Sequence, residues 1–256
     1  MSLTRRDVLK AAALGAASFG LPGWRLEEKL RLGVASYSLR KFKRAEAIKM
    51  ALECGTPYFC IKSVHLAHNL PATELAAARR EFDDAGLQVV GDGNNSLGTA
   101  KDVDDLFAYA QAARIPLLVI APAPSLLPRI DEAVRKTGIP VAIHNHGPED
   151  KNYPAPSDAL KLIRDLDPRV GLCVDVGHTT RAGKDVVQEI ADAGARVLDM
   201  HIKDLRDLKD KSSQVPVGEG KMPVEAIFRQ LIQGDYKGCV NLEYEIDEND
   251  PLPGMQ

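Results

Sequence analysis

Four short stretches carry the residue types of a catalytic centre: "IHNHG" (143–147), "VDVGH" (174–178), "HIKD" (201–204) and "NLEYE" (241–245). They supply His144 and His146, Asp175 and His178, His201 with Lys203 and Asp204, and Glu243 with Glu245. Residues two apart on a strand share a face, which pairs His144 with His146 and His201 with Lys203. Mixed imidazole and carboxylate donors suit Mn²⁺ first, with Mg²⁺, Co²⁺ or Zn²⁺ as alternatives, better than a thiol-seeking metal. A divalent ion held by Asp175, His201 and an eighth-strand glutamate, with His144 beside them, would polarise a sugar carbonyl and acidify the neighbouring C–H, as proton-transfer isomerisation requires. Each residue alone has a plainer reading. An Asp at a strand end caps the next helix about as often as it binds anything, and a single buried His is commonly a satisfied core residue. Their joint occurrence on successive strands favours ligation.

Further candidates flank this set. In "CIKSVHLAH" (60–68), Lys62 is costly to bury unless paired, so it either bridges to Glu243, Glu245 or Asp175 or serves a substrate oxygen or a proton transfer. His65, just beyond, is a substrate-contact candidate. His178 reads as a loop cap or a substrate contact, and Lys203 with Asp204 as a solvated turn or, for Lys203, a substrate-facing group. The segment "VPVGEGKMP" (215–223) sets Glu219 between glycines, either in a plain turn or in a loop over the substrate.

The elements that must position these residues alternate regularly. Eight short apolar runs, at 30–36, 58–64, 87–93, 116–122, 139–145, 170–176, 196–202 and 238–244, are separated by amphipathic helical segments, several of which end at Gly. Strict alternation predicts a parallel sheet, and eight units in about 250 residues predict a closed (β/α)8 TIM barrel with its site at the C-terminal strand ends. A doubly wound sheet would carry a glycine-rich phosphate turn after the first strand, which "VASYSLRKF" lacks. The candidate residues then sit on the consecutive fifth to eighth strands, on one side of the mouth. The chain stops at "DENDPLPGMQ", too soon after the eighth run for the usual closing helix.

The N-terminal "TRRDVLKAAALGAASFGLPGW" has the outline of a twin-arginine export signal, here residues 1–28, ahead of a single barrel domain at 29–256. A periplasmic location is expected, with no membrane association once the signal is removed. The formal charge of −3 and pI near 6.1 argue against non-specific nucleic-acid binding. Cys54, Cys60, Cys173 and Cys239 form no disulfide framework or CxxC pair; three lie inside apolar runs and read as buried thiols.

In their order, "IHNHG", "LCVDVGHTTRAG", "HIKDL", "VPVGEG" and "NLEYE" resemble the sugar phosphate isomerase/epimerase family of xylose isomerase-like TIM barrels, over about residues 30 to 250. Members include ketose 3-epimerases, inosose dehydratase and hydroxypyruvate isomerase. In the epimerases a Mn²⁺ or similar ion is held by Glu, Asp, His and Glu from the fifth to eighth strands. Asp175, His201 and Glu243 match the last three, and His144 falls where the epimerases have glutamate. Those two glutamates exchange the substrate proton from opposite faces, whereas only Glu243 remains here. The fifth-strand histidine pair looks more like inosose dehydratase, with His144 or His146 as base, and Lys62 stands where the family commonly has glutamate. The resemblance thus implies a metal-dependent keto-sugar isomerase or epimerase that takes a small-molecule sugar. Glu243, His144, His146 and Lys62 are its catalytic candidates, and His65, His178, Lys203 and Glu219 its substrate contacts. The alternatives are a keto-sugar or inosose dehydratase or lyase, and a non-catalytic periplasmic sugar-binding barrel. A homodimer is expected by family analogy.

Overall fold

The computed structural model describes residues 30–256, so the twin-arginine segment at 1–28 lies outside the described residues. Within them, eight parallel strands close into a barrel: Arg31–Ala35, Tyr58–Ile61, Gln88–Leu97, Leu118–Pro122, Val141–His144, Val170–Asp175, Val197–Ile202 and Cys239–Leu242. Each strand pairs with its neighbours in sequence, and the eighth pairs with the first through Arg31 opposite Cys239 and Val34 opposite Leu242. Closure in this order is the TIM barrel that the alternating pattern predicts.

The eight apolar runs fall on the eight strands. The third runs on to Leu97, past its apolar part, because Asn95, Ser96 and Leu97 still pair with the fourth strand after a register shift. Local chemistry sets the helix ends. Thr99 Oγ1 accepts from the Asp102 amide at 3.2 Å while the Asp102 carboxylate accepts from the Thr99 amide at 2.8 Å, a reciprocal cap that starts the helix Ala100–Ala112. Gly138, with φ 76°, ends Leu127–Thr137 in the left-handed conformation that glycine tolerates best.

Two apolar layers result. The larger packs the helices against the outside of the barrel. The smaller fills the inside with Cys60, Leu117, Val119, Ala142 and Cys173. All four cysteines are free, and burial pushes the Cys60 and Cys173 thiols well above their ordinary pKa, which leaves them protonated and unreactive.

A single turn of helix, Leu252–Met255, follows the eighth strand. The tail packs onto the first strand–helix unit: Met255 is buried, Gln256 donates to the Glu53 carbonyl at 3.2 Å, and Glu248 pairs with Arg40 and Lys41. Among the described residues no helix is long and apolar enough to cross a membrane.

Candidate metal centre

The strand register converts sequence spacing into a cluster. Asp175 lies opposite His201 across the sixth and seventh strands, His144 opposite Cys173 across the fifth and sixth, and Asn241 opposite His201 across the seventh and eighth. His144, Asp175, His201 and Glu243 each offer a ligand atom, all within 4.8 Å of one another. His144 Nε2 is 3.0 Å from His201 Nδ1 and 3.8 Å from Asp175 Oδ2, and His201 Nδ1 is 3.4 Å from Glu243 Oε1. Burial pushes the His144 pKa well down, reinforced by His201 and His146, so that ring is neutral and offers a lone pair. Burial opposes charge on His201 too, but Glu243, Asp199 and Asp175 outweigh it and raise its pKa. Two imidazoles and two carboxylates aimed at one point fit a divalent ion of the hard or borderline class.

Asp175 does two jobs. Its Oδ1 accepts from the His178 amide at 2.7 Å, capping the helix Val176–Arg181, while its Oδ2 faces the cluster. The plainer reading of a capping Asp and the ligand reading are therefore compatible. Asn145, buried between the two histidines of "IHNHG", accepts from the Asp175 amide at 3.0 Å and donates to Thr179 Oγ1 at 3.1 Å. It fixes the backbone from which Asp175 projects.

Lys203 is buried, which excludes the solvated-turn reading. Its Nζ lies 2.6 Å from Glu243 Oε2 and 3.0 Å from both Asp175 Oδ2 and Glu245 Oε2. Burial works against its charge, yet the three carboxylates hold its pKa well above the ordinary value, and Lys203 with His201 holds the Glu243 carboxyl well below its own. The three carboxylates named as partners for Lys62 are thus those of Lys203. Lys62 instead donates to the Asn94 carbonyl at 2.8 Å, with its ammonium 5.2 Å from the centre of the Tyr37 ring.

A half-buried imidazole row lies beside the cluster. The His146 ring centre is 4.4 Å from that of His144 and 5.6 Å from that of His178. His146 Nδ1 is 3.4 Å from Asp150 Oδ2, and its Nε2 is 2.7 Å from Asn94 Nδ2. Burial, then His178, lowers the His146 pKa. His178 Nδ1 accepts from Arg181 at 2.9 Å, and Arg181 is ion-paired with Glu149.

The substrate contact expected of His65 is corrected. The chain turns back after the second strand, with the His65 amide on the Lys62 carbonyl at 2.8 Å, and carries the ring inward. There it is buried against Phe59 with Nε2 3.2 Å from the Phe42 carbonyl. Glu219 is exposed on a loop that the buried Asp204 carboxylate anchors, accepting from the amides of Gly218, Gly220 and Met222 at 2.9, 3.0 and 3.0 Å. Asp204 is therefore structural.

Asn94, Asn145 and Asp92 escaped the sequence reading. Asp92 is fully buried and gathers Tyr109 Oη at 2.8 Å, Asn95 Nδ2 at 2.8 Å and His68 Nε2 at 3.3 Å. The signal was "GDGNNS" (91–96), a polar run inside a buried strand, where each polar group needs a partner.

A model of the xylose isomerase-like TIM barrel family matches residues 8–256. Inosose dehydratase of Lactiplantibacillus plantarum is 27% identical over 139 residues, a stretch that covers 48% of this chain and 45% of that protein, so the match spans about half of each. Among solved structures, D-allulose 3-epimerase from Methylomonas sp. has a TM-score of 0.67 at 16% identity, covering 84% of each chain. The IolI protein, solved with a zinc atom bound, has a TM-score of 0.73 at 13% identity, covering 88% of this chain and 95% of that one. At such identities the structural likeness establishes the fold alone. With the closed parallel barrel and a family match over nearly the whole chain, this protein belongs to the xylose isomerase-like TIM barrel family.

Proposed function

We propose that this protein is a divalent-metal-dependent enzyme that removes a proton next to the carbonyl of a keto-sugar, in an isomerase or epimerase reaction. The observation that carries the reading is the convergence of His144, Asp175, His201 and Glu243 within 4.8 Å, with the half-buried His146 against His144. These four residues would hold the ion, Mn²⁺ by donor preference, and such an ion polarises a carbonyl and acidifies the adjacent C–H. His146 is the base. Its lowered pKa keeps it unprotonated at neutral pH, Asp150 holds Nδ1, and Nε2 accepts a proton once substrate displaces the Asn94 amide. Lys62, without a carboxylate ion-pair partner among the described residues, offers its ammonium to a substrate oxygen, and His178 stands beside His146.

A second reading, elimination of water from a keto-sugar or inosose, is favoured by one feature. His144 stands at the fifth-strand position of the ligand set, so Glu243 is the set's only glutamate and is already paired with Lys203. That disfavours proton exchange by two carboxylates on opposite faces. The relative named inosose dehydratase points the same way.

Incubating a panel of keto-sugars and inososes with the Mn²⁺-loaded protein in D₂O, followed by NMR, tests both. Deuterium at one carbon with the skeleton intact supports isomerisation or epimerisation, and loss of water supports elimination. No turnover together with no divalent metal retained would overturn the enzyme reading.

A further inference from the structure

Lys203 places a fixed cation inside the metal centre. Its Nζ contacts Asp175 Oδ2 and Glu243 Oε2, which belong to the four-residue donor set, and Glu245 Oε2, which does not. Room for its stem is built into the helix that follows the sixth strand: a Cβ added at Gly177 would lie 2.8 Å from Lys203 Cδ and 2.9 Å from Cγ. The two shared carboxylates also have supports of their own. Asp175 is held by the His178 amide and by Asn145, and the Glu243 amide donates to the Ile202 carbonyl at 3.0 Å.

We propose that Lys203 is an internal competitor for the divalent ion: ammonium and ion share Asp175 and Glu243, and Glu245 is the carboxylate that receives the ammonium when the ion binds. The Lys203–Glu245 pair thereby sets the affinity of the site and keeps the ion exchangeable. The formal charges support this. Asp175, Glu243 and Glu245 supply three negative charges, which Lys203 and a divalent ion together neutralise. Without Lys203 the same carboxylates hold the ion with one negative charge to spare, and the nearby like-charge repulsion is gone. The inference rests on reading the cluster as a metal centre.

Calorimetric titration of Mn²⁺ into the metal-stripped wild-type protein and the Lys203→Met, Gly177→Ala and Glu245→Gln variants tests it. Lys203→Met is expected to bind at least about tenfold more tightly. Gly177→Ala, which crowds the lysine stem from within a helix where alanine is well tolerated, should fall between Lys203→Met and wild type. Glu245→Gln should bind several-fold more weakly, because the ammonium loses its alternative partner. If Lys203→Met does not fold, the opposite signs of the other two variants carry the test. Wild-type binding that is unchanged or weakened in Lys203→Met, or equal in Gly177→Ala and Glu245→Gln, overturns the competition and leaves the metal centre standing. No Mn²⁺ binding in any of the four overturns both.

Discussion

His144 Nε2 lies 3.0 Å from His201 Nδ1, and each nitrogen also faces a carboxylate of the cluster. Burial keeps His144 neutral, while Glu243, Asp199 and Asp175 outweigh burial and raise the His201 pKa, so the proton between the rings belongs to His201. An incoming ion must displace it. Mn²⁺ uptake should release protons below the raised His201 pKa and tighten as pH rises through it, measured by calorimetry in buffers of different ionisation enthalpy. Replacing His144 with Ala should weaken binding by about 100-fold or more, since a ligand matters at least as much as the groups behind it. Proton release near zero at every pH from 5 to 8 would contradict the assignment.

Asp199 sits beneath the cluster with Oδ2 3.8 Å from His201 Nε2, and Asn241 donates to its Oδ1 at 2.8 Å. Burial raises its pKa from 3.8 to about 6, against smaller opposing effects of His201, Cys173, the Met200 amide and Asn241. The folded protein thus keeps this proton to higher pH than the unfolded chain does. Stability is lost as pH climbs from the ordinary carboxylate value to about 6, and the loss reaches about 3 kcal/mol. Asp199→Asn has no such loss, so its stability relative to wild type should improve by roughly that amount between pH 4 and pH 7 in urea denaturation. A pH-independent difference would refute the shift.

Asn145 ties the fifth strand to the sixth through Asp175 and Thr179. Asn145→Ala leaves the buried Asp175 amide without its acceptor, an expected cost of about 1–3 kcal/mol by urea denaturation. The same change should also weaken Mn²⁺ binding, because Asp175 loses its backbone anchor. A loss of stability with unaltered metal affinity would show that Asn145 supports the fold alone.

Asp204 holds the loop at 215–223 through three amides. In Asp204→Ala these donors turn to solvent, and the loop should open to trypsin at Lys221 well before the barrel is cut. Digestion followed by mass spectrometry should show that fragment early in the variant and late in wild type. Equal rates would mean that other contacts suffice.

The strand ends that carry the buried cluster were legible in the sequence because they depend on short-range rules. An apolar run that ends in His, Asp or Glu marks a strand that delivers a polar group to a barrel mouth, and two-residue parity sets His146 beside His144 and Lys203 beside His201. His65 went elsewhere because the chain turns after Ile61, with the His65 amide on the Lys62 carbonyl, whereas no such turn separates His146 from His144 or Lys203 from His201.

The sequence by itself determined eight strands, their parallel order and which strand ends carry the His, Asp and Glu side chains of the cluster, since periodicity and strand-end chemistry are encoded within a few residues. Only the tertiary structure decided which lysine meets the carboxylates. Lys62 and Lys203 are both long cations at strand ends, but the seventh strand lies hydrogen-bonded between the sixth and the eighth, so Lys203 reaches Asp175, Glu243 and Glu245. Lys62, on the second strand, meets the Asn94 carbonyl and Tyr37 instead. Partner choice there follows from distance between strands, which no local pattern records.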